Sequence, residues 1–308
     1  MKLLVTGCHG YIGGHLVEEL LTSGHEVSGI DHRPESWQAF GKLGCYHFIQ
    51  FELAGRQAVE PLAKALEGVE AVFHLASHQP FSWDPAPFIH GNVYRTATLL
   101  EAMRLAGIHR LISSSTFAVY GDAERLPVSE SDPVNPCNIY EVTKYQAEML
   151  ARVYSDLDHF KATVLRYSSV YGGRNRVGSL YYFIEKTLKR EPLRLFAGGK
   201  TIRDYVYVDD VVRVNLSCLS LDDSVPFDVF NIGSGHAMST GDLVHLIFEL
   251  AGSSTEITYV EDEHWRAADL YLDISKAQRR LNYQPLNMRA GLHHYLQTLQ
   301  AAITTQVT

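Results

Sequence analysis

Lys2-Leu3-Leu4-Val5-Thr6-Gly7-Cys8-His9-Gly10-Tyr11-Ile12-Gly13 opens the chain, and its reading decides the fold. Residues 2–6 form a short apolar run of strand character. Residues 10–21 carry Ile12, Leu16, Leu20 and Leu21 on one side of a helix. Between strand and helix stands a TGxxGxxG turn. In such a turn Gly7 permits the tight bend and Gly10 lets the backbone approach a pyrophosphate. Gly13 lets the helix lie close to the strand, and the helix N-terminus faces the anion. A glycine pattern alone is weak. Here the strand, the helix and a second strand at 26–31 fall where a dinucleotide site requires them.

Asp31 ends that second strand, about 20 residues beyond the glycines. A carboxylate there accepts both ribose hydroxyls and repels a 2′-phosphate, so NAD is expected over NADP. Arg33 is the counter-signal, because a nearby arginine accommodates a phosphate. Further strands are expected at 46–51, 71–75 and 110–114, with a helix over 87–106. This alternation predicts an α/β, Rossmann-type, doubly wound parallel sheet. It weakens after about Tyr171, which predicts a smaller C-terminal substrate-binding lobe. The expected division is 1–167 plus 204–235 for the dinucleotide-binding domain and 168–203 plus 236–308 for the lobe.

Composition excludes several classes. The chain has 308 residues, 46% hydrophobic and 20% charged, which rules out a largely disordered chain. A formal charge of −8 argues against a broad nucleic-acid footprint. Cys8, Cys45, Cys137 and Cys218 lie far apart and form no CxxC pair, so neither a disulfide framework nor a metal knuckle is expected. His293-His294 are adjacent and point apart on a helix, so no metal site is expected there. No apolar run approaches the roughly 18 residues of a spanning helix. A cytoplasmic protein is expected, with no membrane partner.

Tyr140 and Lys144 are four apart on a helix expected over 138–155, hence on one face. An ammonium near a phenol favours the phenolate, and a phenolate of lowered pKa can take a proton from a sugar hydroxyl. Upstream, 110–121 runs from apolar residues into Ser113-Ser114-Ser115-Thr116. Those hydroxyls would lie at the carboxyl end of a strand, where open α/β sheets bind ligands.

Together these stretches resemble the extended short-chain dehydrogenase/reductases of the nucleotide-sugar epimerase and dehydratase group. The likeness covers essentially the whole chain. It rests on TGCHGYIG at 6–13, HLAS at 74–77, GNVYRTATLLEA at 91–102, SSSTFAVYG at 113–121 and YEVTK at 140–144. RYSSVYG at 166–172, RDYVYVDDVV at 203–212 and FNIGSG at 230–235 complete it. The resemblance implies Thr116 as the catalytic hydroxyl and Tyr140 as the proton-transferring group. It implies that Lys144 holds the nicotinamide ribose and tunes Tyr140. Gly7, Gly10, Tyr11, Ile12, Gly13, Asp31, Leu75, Ala76 and Asn92 would join Tyr140 and Lys144 around NAD. Ser169, Arg203, Arg266 and Asp269 would hold the nucleotide sugar, with the Arg203 fork suited to phosphate oxygens. A homodimer built on the helices at 87–106 and 138–155 is also implied, with Met149, Leu150 and Val153 as candidate contacts.

The positions after Thr116 bear on the reaction. Similar 4,6-dehydratases carry an acidic pair there, and similar uronic-acid decarboxylases a glutamate. Phe117 and Ala118 stand in those places, and neither transfers a proton. The expected reaction is therefore that of an NAD-dependent nucleotide-sugar 4-epimerase, on a UDP-hexose or UDP-hexuronic acid, through a transient 4-keto sugar. A 4-ketoreductase or dehydrogenase is the alternative, with a 4,6-dehydratase or decarboxylase behind it. The chain departs from the family pattern at Ser168 and Ser169, where Phe and Asn are usual, and at Gly173, where Pro is common. Arg174 and Arg176 either meet a substrate carboxylate, favouring a uronic acid, or lie in a solvated loop.

Overall fold

The opening run Leu3-Leu4-Val5 is wholly buried, because a central strand is covered on both faces. In the computed structural model, which describes residues 1–34, 40–79, 84–158, 160–222, 224–261 and 268–307, it is an interior strand of a seven-stranded sheet. The strands are β1 (Lys2–Thr6), β2 (Glu26–Asp31), β3 (Tyr46–Gln50), β4 (Ala71–His74), β5 (Arg110–Thr116), β6 (Lys161–Tyr167) and β7 (Phe227–Ile232). Their order is β7-β6-β5-β4-β1-β2-β3 and every pairing is parallel. The helices that matter for the site are α1 (Tyr11–Thr22), α2 (Val59–Ala65), α3 (Arg95–Ala106), α4 (Ile139–Asp158) and α5 (Ser179–Lys189). They are followed by α6 (Val208–Ser217), α7 (Thr240–Ala251), α8 (Ser275–Leu281) and α9 (Met288–Val307).

Strand alternation divides the core. Leu3, Val5, Phe73, Ile112 and Leu165 pack with Leu16, Leu20 and Val211 of α1 and α6. Leu4, Val72 and Leu111 pack on the other face with Leu62, Leu99, Leu100 and Ala151 of α2, α3 and α4. A third cluster joins Tyr171, Phe183, Leu193, Tyr205, Tyr207, Leu243 and Leu292. Three two-stranded ladders frame it: Ser169–Tyr171 with Tyr205–Tyr207, Ile202–Arg203 with Met238–Ser239, and Leu193–Phe196 with Ile257–Val260.

Two expectations change. The fifth strand continues through Ser115 to Thr116, beyond the apolar residues. Its polar tail pairs with Leu165, Arg166 and Tyr167 of β6, and backbone pairing carries the strand where hydrophobicity stops. The helix expected over 87–106 is not uniform. A π-helical segment, Ile89–Tyr94, precedes α3, and Asn92 lies within it. Such insertions occur often at functional sites, and a 3.6-residue periodicity does not reveal them.

Candidate active site

The chain order reverses at β1, between β4 and β2, and a cleft opens there at the carboxyl ends of the strands. Gly7 and Gly10 line it with Ile30, Asp31, His32, Arg33, Phe51, Leu53, Leu75, Ala76, Ser77 and Arg95. Gly7 has φ +70°, and a Cβ on it would stand 2.8 Å from the Ala76 nitrogen. A Cβ on Gly13 would stand 2.1 Å from the Gly7 carbonyl oxygen. Only bare backbone fits at these two crossings. The first turn of α1 has no side-chain cap and no acidic residue, so its N–H groups and dipole suit an anion. These residues fit a dinucleotide.

Asp31 is buried and accepts hydrogen bonds from the His9 N–H at 3.1 Å and from Arg33 Nε at 3.2 Å. Burial opposes its charge, yet the Arg33 guanidinium and N–H outweigh it and hold the carboxyl below its ordinary value. Arg33 is thus turned onto Asp31. Cys8 Sγ, a His9 ring nitrogen and Asp31 lie within 4.8 Å of one another. Burial pushes the Cys8 thiol up to about 12, and Asp31 is already paired, so the trio does not offer the deprotonated thiolate a metal needs. Tyr11 turns away from the cleft and donates from its hydroxyl to the Gly172 carbonyl at 3.0 Å, while Ile12 packs against the main core.

The reacting end lies where β5 meets α4. The Thr116 side chain stands beside the Tyr140 phenol and accepts from the Ala118 N–H at 3.2 Å. Lys144, one helical turn on, is buried and donates from Nζ to the Ser114 carbonyl at 2.7 Å. Asn92 ties this corner to the cleft. Its Oδ1 accepts from the His78 N–H at 2.6 Å, and its Nδ2 donates to His78 O and to Thr143 Oγ1 at 3.0 Å. Behind it, Thr6 Oγ1 and Thr96 Oγ1 flank the two ring nitrogens of His74 at 2.8 and 3.0 Å. Burial pushes that imidazole down to about 3, so it is neutral.

A model of the NAD dependent epimerase/dehydratase family matches residues 3–233, three quarters of the chain. The chain belongs to that NAD-dependent epimerase/dehydratase family. Among curated relatives, an uncharacterized UDP-glucose epimerase of Bacillus subtilis is 32% identical over 95% of this chain and 96% of its own length. A UDP-glucose 4-epimerase of Thermotoga maritima, solved with UDP-glucose, superposes with a TM-score of 0.89 at 30% identity. A UDP-glucuronic acid 4-epimerase of Bacillus cereus, solved with UDP-glucuronic acid and NAD, superposes with a TM-score of 0.87 at 29% identity. Each covers 98% of this chain and 100% of its own.

For this family member the acidification expected of Tyr140 needs correction. Burial pushes the phenol up to about 12, and the opposing pull comes from the Thr116 hydrogen bond. Lys144 aims past the ring at the β5 backbone. Its own ammonium is destabilised by burial and falls to about 8, with the Glu148 charge working the other way. Spacing put the two on one face, but the direction of the lysine stem is a tertiary matter.

The nucleotide-sugar candidates scatter around the lobe. Arg203 is held by the Ile202 carbonyl at 3.2 Å and by the Ala268 carbonyl, and burial lowers its pKa. Asp269 accepts from the Ile202 N–H at 2.8 Å, so Arg203 and Asp269 share one corner. Ser169 lies in the short ladder, its N–H on the Asp204 carbonyl. Arg266 lies outside the described residues. Arg174 pairs with Glu18 of α1 at 2.6 Å, and Arg176 donates to the carbonyls of Gly173 and Asn175. Sequence reasoning missed Phe51, Leu53, Ser77 and Arg95 in the cleft. Their signal was position, since Phe51 follows β3 and Ser77 follows β4 on the binding edge of a parallel sheet.

Proposed function

We propose that this chain is an NAD-dependent nucleotide-sugar 4-epimerase acting on a UDP-linked hexose or hexuronic acid. The observation that carries the reading is the placing of Thr116, Tyr140 and Lys144 at one corner, with Lys144 on the Ser114 carbonyl, beside a glycine cradle. The site residues named above, Arg203, Asp269 and Ser169 included, are proposed in the roles the family pattern implies. NAD held at the glycine cradle would supply a reversible hydride acceptor for the sugar C4. Tyr140 would act as the phenolate, which the positive charges of Lys144 and of the oxidised nicotinamide would favour against the upward push of burial; it would receive the 4-hydroxyl proton and give it back, with Thr116 orienting the substrate oxygen. Lys144 contributes positive charge to that corner, and Asn92 holds α4 against the loop after β4. Phe117 and Ala118 leave no extra acid or base beside Thr116, which disfavours dehydration and decarboxylation.

The division of the chain into 1–167 plus 204–235 and 168–203 plus 236–308 is proposed as its working organisation. A cytoplasmic location is part of the same reading. Among the described residues, no helix is long and apolar enough to cross a membrane. A homodimer is proposed on α3 and α4. Met149, Val153 and Leu157 recur every fourth residue on α4 and are 38%, 46% and 73% exposed. Leu150 instead packs inward against the core.

The test is to incubate the purified protein with UDP-glucose, UDP-galactose, UDP-glucuronic acid and UDP-galacturonic acid and to follow C4 configuration by proton NMR. Inversion without added cofactor is expected. Net consumption of external NAD(P)H with no inversion would assign a reductase instead.

A further inference from the structure

One turn beyond Lys144 on α4 lies Glu148, buried at 3% side-chain exposure. Three donors converge on its carboxylate. Arg166 of β6 donates from Nε to Oε1 at 3.1 Å and from Nη2 to Oε2 at 2.7 Å. The Ser115 hydroxyl donates to Oε1 as well. Arg166 is itself held by Tyr120, whose hydroxyl accepts from Nη1 at 2.9 Å and donates to Asn231 Oδ1 at 2.7 Å. The strand residue that Glu148 grips is therefore the neighbour of Thr116. The strand residue that Lys144 grips, Ser114, is next in line. Two contacts from one helix thus fix the register between the element that bears Tyr140 and the strand end that bears Thr116.

The charges are as ordered as the contacts. Lys144 shares one helix face with Tyr140 and Glu148 and interacts with the Glu148 charge and with His74 from β4, while Arg166 from β6 is bound to Glu148. His74 is neutral, and Arg95, the next cation beyond it, is paired with Glu52 at 2.8 Å. Among these groups Glu148 is the one anion one turn from the ammonium.

We propose that Glu148 is a positioning residue of the reaction. Its carboxylate, held by Arg166 and Ser115, clamps the Thr116 strand to the catalytic helix and supplies the negative charge that keeps Lys144 an ammonium. A buried ion pair is weak grounds for stability by itself. Here it lies where its sign acts on the catalytic lysine. The inference builds on the proposed epimerase reaction, but its charge component is measurable without any sugar.

The experiment follows the Lys144 13Cε resonance by NMR in lysine-labelled protein, assigned by its loss in Lys144→Arg, as pH is raised. The alkaline limb of the epimerisation rate is recorded in parallel. Glu148→Gln keeps the shape and removes the charge, so the lysine midpoint is expected to fall by at least about 0.5 unit. Arg166→Gln leaves the carboxylate unopposed, and the midpoint is expected to rise. The alkaline limb should move with the midpoint in each case. Should a single variant not fold, Glu148→Gln/Arg166→Gln is read in its place, and a fall is expected. A lysine midpoint unmoved in the folded variants, whatever their melting temperature, would overturn the proposal and leave Glu148 a packing residue. A moving midpoint with no epimerisation by any variant or the parent would keep the charge assignment and remove the proposed reaction.

Discussion

The Tyr140 phenol stands beside the Thr116 side chain, although one is on α4 and the other is the last residue of β5. Nothing local brings them together. The clamp of Lys144 on Ser114, and the Asn92 bridge to Thr143, hold the helix against the sheet so that the two oxygens meet. Tyr140→Phe removes the proton-transferring oxygen and one hydrogen bond. Epimerisation is expected to fall by about 10²–10⁴-fold, while stability changes by only about 1 kcal/mol. NMR turnover and thermal melting measure the two.

Lys144 gives a pH prediction with a definite sign. Its pKa in the folded protein, about 8, lies below the ordinary lysine value of 10.5 because burial disfavours the ammonium. The unfolded chain therefore binds more protons between those values, and stability rises with pH across that window. Below about pH 8 the buried ammonium costs on the order of 3 kcal/mol in the cofactor-free protein. Lys144→Met should melt above the parent at pH 7, and the gap should close by about pH 10.5. The same variant should lose activity at every pH.

Cofactor choice is expected to depend on Asp31. Asp31→Ala removes the carboxylate that repels a 2′-phosphate and releases Arg33, now held at 3.2 Å. The ratio of NAD to NADP affinity should shift toward NADP by about 10-fold or more, since one ionic contact is worth roughly 1.5–3 kcal/mol. Calorimetric titration with both dinucleotides checks it.

Gly13→Ala tests the cradle. The new methyl would need space 2.1 Å from the Gly7 carbonyl, and both neighbours are backbone. Local displacement of the first turn is expected, with NAD binding weakened by about 100-fold and stability lowered by about 1–3 kcal/mol. Dinucleotide titration and melting of the variant read both effects.

The proposed dimer is tested at Val153, 46% exposed on α4. Val153→Glu places a charge in the centre of the apolar stripe, and buried unpaired charge is costly. Sedimentation velocity should show a monomer where the parent is a dimer. A parent already monomeric at micromolar concentration would remove the dimer.

Much of the fold was legible because its signals are local. The glycine turn, the apolar Leu3-Leu4-Val5 of β1 and the helical repeat of α1 announce themselves within residues 2–21. The end of β5 did not. Ser115 and Thr116 fall outside the expected strand until Arg166 and Tyr167 pair with them and Glu148 takes the Ser115 hydroxyl. The π-helical turn was hidden for a different reason. One inserted residue barely disturbs an apolar periodicity, yet it sets where Asn92 stands.

What the sequence determined by itself is the parallel sheet, the glycine turn at its edge and the placing of Tyr140 and Lys144 on one helix face. Backbone propensity, alternation and glycine sterics act over a few residues, and a single chain displays them. Only the tertiary structure decided that Lys144 points at Ser114, that Tyr140 comes to stand beside Thr116, and that Arg33 closes on Asp31. Those outcomes depend on burial and on the direction of long side chains between distant elements. Desolvation moves a buried charge by several pKa units, and no spacing along a chain specifies how much water a fold will leave beside it.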